Sequence, residues 1–152
     1  MANEKLTLIC PVRGKLRASG KSGDGLRPTE EFHRVEAIRY LVDYGYPSEN
    51  LMVEPVLKKF GSQGRNSFRA DFAVLDRPIS EVDSREVDVL LEHTILLCEV
   101  KRDNAASDYV RRTQVSPLLD FARLSRCVGL YWDNVEQRVF WQEVKGGKRT
   151  IR

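Results

Sequence analysis

A chain of 152 residues, 41% hydrophobic and 31% charged, has the length of one domain and enough apolar content to bury a core. No apolar run approaches the roughly 20 residues of a membrane helix, and the opening MANEKLTLICPVRGK is too short in apolar length for a signal peptide, so a cytoplasmic setting without a membrane partner is expected. The net charge of +3 names no partner by itself, while three cysteines (Cys10, Cys98, Cys127) in apolar settings read as reduced core thiols, and two histidines without a CxxC speak against structural zinc.

Residues 6–12 predict a strand, followed by a polar, glycine-rich, basic loop to residue 28. The GKS at Gly20 to Ser22 invites a phosphate-loop reading. It fails on spacing, because Gly14 and Gly20 enclose five residues where that loop needs four. Residues 29–44 predict a helix with Thr29 as N-cap, Glu30 and Glu31 in its first turn, and a stripe of Phe32, Val35, Ile38, Leu41 and Val42. Acids at a helix start are stabilised by the macrodipole. Glu31 also falls on the buried side of the helical wheel, from which its carboxylate would reach a site on the sheet, and Glu30 and Glu54 are alternatives for that place. Gly45 and Pro47 end the helix.

Residues 50–60 read as a strand in which Pro55 demands an edge position or a bulge. A hairpin loop over 61–67 leads to a return strand, 68–75, that contains Asp71. An acidic insertion with Glu81, Asp83, Glu86, Asp88 and Glu92 reads as a short surface helix. The run ILLCEVKR, 95–102, predicts a buried strand, and 103–126 is helical in pattern, with Pro117 kinking it or starting a second helix after Ser116. Strands over 127–132 and 138–144 follow, joined by a turn at Asp133 and Asn134. The expected organisation is a single domain: a strand and flexible basic loop (1–28), a core (29–144) and a loose basic tail (145–152).

Charge at the end of an apolar strand needs a reason, since desolvating an unpaired charge costs several kcal/mol. Glu99 and Lys101 are two apart and project from one face of a strand. A buried Glu–Lys ion pair would explain them without any ligand. With Asp71 on a neighbouring strand a second explanation opens. Asp71 and Glu99 are the hard oxygen donors that Mg²⁺ takes, with Mn²⁺ as a substitute, and Lys101 would orient or deprotonate a water and oppose developing negative charge. Lys58, Lys59, Arg65, Arg69, Arg102, Arg111, Arg112, Arg123 and Arg126 flank these segments, a distribution suited to a polyanion such as double-stranded DNA.

The order of parts resembles the PD-(D/E)xK nuclease superfamily, and more closely the N-terminal nuclease domain of the restriction subunit of type I restriction-modification enzymes. The likeness runs from about Pro28 to Asn134, through PTEEFHR, GYPSENLMVEP, the R-x-D-F-A-V-L run, ILLCEVKR and Arg112-Thr113-Gln114. It implies an α/β fold with a restriction-endonuclease-like core, in which a central mixed β-sheet is flanked by helices. It also implies Asp71 and Glu99 as metal ligands, Lys101 as the catalytic lysine, Gln114 beside the site, and helicase/translocase and methyltransferase/specificity subunits as partners. Ala70 stands where the superfamily has proline, and Leu118 where the type I pattern has tyrosine. The chain holds no helicase motor, so the expectation is an excised domain or a free-standing relative. A DNA-binding or assembly module with an inactive or partner-dependent site is the competing expectation.

Overall fold

The apolar run ahead of Glu99 becomes the middle strand of the fold. The computed structural model describes residues 8–16, 30–60, 66–101, 118–133 and 135–151. In chain order these form a hairpin of β1 (Leu8–Cys10) and β2 (Gly14–Leu16), helix α1 (Glu30–Tyr44), and strands β3 (Leu51–Val53), β4 (Val56–Phe60), β5 (Asn66–Arg69) and β6 (Phe72–Leu75). The short helix α2 (Val87–Glu92), strand β7 (Thr94–Val100) and a single helical turn, α3 (Leu118–Phe121), come next. Strands β8 (Val128–Trp132), β9 (Gln137–Phe140), β10 (Gln142–Lys145) and β11 (Lys148–Ile151) complete the chain. Five strands make one mixed sheet in the order β3-β6-β7-β8-β9, antiparallel except for β7 against β8.

Alternation along β6 and β7 divides the core between two faces. Phe72, Val74, Leu96, Cys98 and Val100 meet Val35, Ile38 and Leu41 of α1 on one side. Ala73, Leu75 and Leu97 meet Leu90 and Leu91 of α2, and Leu118 and Leu119 of α3, on the other. Strand β7 is thus covered on both faces, which is why its sequence runs almost continuously apolar. Fully buried side chains such as Phe72 and Ile38 each contribute roughly 1.5–3 kcal/mol. The chain is therefore mixed α/β, a central mixed sheet flanked by helices. No helix among the described residues is long and apolar enough to cross a membrane.

Several elements differ from the sequence reading. The loop after β1 turns back as β2, with Gly14 at a φ of 75°. The single strand expected over 50–60 is broken by Glu54 and Pro55 into β3 and β4, and the return strand breaks at Ala70 and Asp71 into β5 and β6. One hairpin was expected. Instead β4 and β5 pair with each other while β3 and β6 belong to the large sheet. Of the helix expected over 103–126, only Leu118–Phe121 forms α3; residues 123–126 are bend and turn instead of helix, and Ser116 and Pro117 lie outside the described residues. The expected loose tail pairs as β11 with β10 across Gly146 and Gly147, whose φ values of 59° and 80° admit so tight a reversal. All three cysteines are free and buried, as expected.

Candidate functional site

The break between β5 and β6 frees Asp71 from ordinary strand alternation and brings it against the end of β7. Its N–H donates to the Cys98 carbonyl at 2.9 Å, and its Oδ2 accepts the Val100 N–H at 2.7 Å. Those two groups belong to the peptides on either side of Glu99. The β6–β7 register ends with Phe72 paired to Cys98, and Asp71 lies just beyond it. On the same strand end, Lys101 Nζ lies 3.2 Å from Glu99 Oε1, as two-residue alternation requires. The Lys101 N–H donates to the Trp132 carbonyl at 2.9 Å and extends the β7–β8 ladder past the last strand residue.

Asp71 is only 7% exposed, so its charge must be compensated within the fold. The compensation comes from Arg34, on α1. Its Nη2 and Nε donate to Asp71 Oδ1 at 2.7 and 3.3 Å, and its Nη1 donates to Glu31 Oε2 at 2.9 Å. Glu54 Oε1 is 3.5 Å from the same Nη1. Glu31 and Arg34 are three apart and so share one helix face. Arg13, from the turn between β1 and β2, pairs with the other oxygen of Glu31. Burial works against the charge of Arg34, but its hydrogen bond to Asp71 and the charges of Asp71, Glu31 and Glu54 outweigh this and raise its pKa. The Cys98 thiol is pushed well above its ordinary range, first by burial and then by the charges of Asp71 and Glu99, with Arg34 opposing.

Glu54 has the one positive φ among the described non-glycine residues, 53°. A non-glycine residue held there costs about 1–3 kcal/mol. Its N–H donates to the Asp71 carbonyl at 2.9 Å, so the strained residue sits directly beside the acid. The sequence left open which of Glu30, Glu31 and Glu54 joins the site. The carboxylates of Glu31 and Glu54 both meet Asp71 through Arg34.

Asp71, Glu99 and Lys101 are therefore gathered at one end of the sheet, with Glu31 in the ring around Arg34, while Gln114 lies outside the described residues. Sequence reasoning missed Arg34 and Arg13. The signal for Arg34 was available, since an arginine one turn after a buried-side acid is placed to meet whatever that acid meets. No group of three His, Cys, Asp or Glu side chains that would hold a metal exists among the described residues. The donor set still fits Mg²⁺, which is commonly held by one or two carboxylates with its remaining positions filled by water and substrate phosphate. Oδ2 of Asp71 faces the main chain and accepts the Val100 N–H, while Oδ1 faces α1 and holds both donors of Arg34.

An open groove of about 460 Å³ lies away from these acids, lined by Tyr40, Tyr44, Tyr46, Trp132 and Val139 among others. Tyr40 stacks on Tyr44 with ring centres 6.1 Å apart and tilts against Trp132 at 5.4 Å. It contains none of the ionisable groups described above, so the chemistry is sought at Asp71. Compared with known proteins, the chain matches no family model, no curated protein and no solved structure.

Proposed function

We propose that the chain is a metal-dependent endodeoxyribonuclease with a restriction-endonuclease-like core, which cleaves phosphodiester bonds of double-stranded DNA with Mg²⁺ or Mn²⁺ held by Asp71 and Glu99. One arrangement supports this reading most. Asp71 grips the peptide groups on both sides of Glu99, and the Lys101 ammonium lies 3.2 Å from the Glu99 carboxylate at the same end of the sheet. An ion bound there supplies Lewis acidity to a phosphoryl oxygen and acidifies a coordinated water. Lys101 orients the water and opposes negative charge gathering at phosphorus. Glu31 acts through Arg34, and a role for Gln114 rests on the family likeness alone. That likeness also underlies the partners proposed beyond DNA, namely helicase/translocase and methyltransferase/specificity subunits, while a cytoplasmic setting rests on the sequence composition.

A second reading has one observation in its favour. Each acid already has an internal cation, Asp71 with Arg34 and Glu99 with Lys101. On that reading the strand end is an ion-pair network in a DNA-binding or assembly module whose nuclease site is inactive or waits for a partner. Nicking of supercoiled plasmid separates the two. The wild type is expected to nick with Mg²⁺ or Mn²⁺ and not with chelator. Asp71→Ala, Glu99→Ala and Lys101→Ala are each expected to slow nicking at least about a hundredfold while keeping salt-sensitive DNA binding. Wild-type rates in all three variants overturn the catalytic assignment. Metal-independent DNA binding by an inactive wild type supports the second reading.

A further inference from the structure

We propose that Arg34 is the resting-state counter-cation of the site, and that its guanidinium must leave Asp71 Oδ1 before a divalent ion is bound there. The inference rests on the metal-site reading above and concerns how that site is filled. Arg34 places two donors on Oδ1, at 2.7 and 3.3 Å. A carboxylate oxygen has about two acceptor positions, so these two bonds fill it. The remaining oxygen, Oδ2, holds the Val100 N–H at 2.7 Å. Oδ1 therefore offers an incoming ion no vacant acceptor position while Arg34 stays, and the one position left on Asp71 is on Oδ2, beside the Val100 main chain.

The surroundings suit exchange better than a permanent tie. Three carboxylates, from Glu31, Glu54 and Asp71, lie within 3.5 Å of one guanidinium, so losing Asp71 leaves Arg34 with two anionic partners. A planar fork with five donors can transfer one bond without losing the others, which a lysine ammonium does less well. Arg34 then remains beside the site, held by Glu31 and Glu54.

Direct metal binding, without DNA, tests this. Mn²⁺ is titrated calorimetrically into wild type, Arg34→Met, Asp71→Asn and the double variant. Arg34→Met is expected to bind Mn²⁺ at least about tenfold more tightly than wild type, the factor carried by one charge-assisted hydrogen bond. Asp71→Asn should lose that binding in both backgrounds. Equal or weaker binding by Arg34→Met, with Asp71-dependent binding intact in wild type, overturns the exchange and leaves the metal site standing. Absence of Asp71-dependent binding in every protein overturns the metal-site reading itself. Because Arg34→Met removes the main partner of a buried acid and can fail to fold, a second measurement uses wild type alone. The NMR signal of Arg34 Nε–H should shift and exchange faster with solvent as Mg²⁺ is added, and an unchanged signal at saturating Mg²⁺ overturns the proposal.

Discussion

Asp71 and Asp133 are both buried at the same end of the central sheet, yet their partners come from very different distances along the chain. Asp133 follows β8 and is closed by its own turn. Its Oδ2 accepts the Tyr131 hydroxyl at 2.6 Å, and its Oδ1 accepts the N–H groups of Val135 and Glu136 at 2.7 Å each. Asp71 is served by Val100 and Arg34, respectively 29 and 37 residues away. Main-chain donors in a tight turn cannot leave without unfolding it, whereas a guanidinium can rotate away. The contrast separates an acid closed by its own turn from an acid held by groups distant in sequence.

Truncation of the two acids sharpens that difference. Asp133→Ala strips three donors of one acceptor and is expected to lower stability by about 3–4 kcal/mol in urea denaturation, without changing metal affinity in the folded fraction. Asp71→Ala should lower stability by only about 2 kcal/mol, because Arg34 retains Glu31 and Glu54, while removing metal binding. Equal stability losses, or a metal-binding loss at Asp133, would break the comparison. The smallest expected effect is at Glu54. Glu54→Gly relieves the left-handed backbone and should raise stability by up to about 1 kcal/mol, offsetting the lost contact to Arg34. A clear destabilisation would mean that the Glu54 carboxylate matters more than its strain.

Much of this architecture is written in residue pattern. The helix at 30–44 follows from its stripe and terminal Gly45, and β7 follows from its apolar run, whereas the expected cap Thr29 lies outside the described residues. Glu99 and Lys101 share a face because strand alternation has period two, so their pairing was legible as well. Less visible was the pair of chain breaks at Glu54–Pro55 and Ala70–Asp71. Proline marked the first, but nothing local marks the second, where FRADFAVL reads as one uninterrupted strand. That break decides the site, because it lets Asp71 reach the peptides around Glu99. Arg34 was hidden for a different reason: which acid a helical arginine meets depends on how the helix crosses the sheet. The β10–β11 hairpin shows a third cause, since KGGK carries its turn signal in two glycines inside a run that composition alone marks as a basic tail.

The most direct test of the central claim is an anomalous difference map from crystals of the wild-type protein soaked in Mn²⁺. A peak is expected about 2 Å from both Asp71 Oδ1 and a Glu99 carboxylate oxygen, with Arg34 turned away towards Glu31 and Glu54. A map with no such peak at saturating Mn²⁺, and with Arg34 still bonded to Asp71, would contradict it.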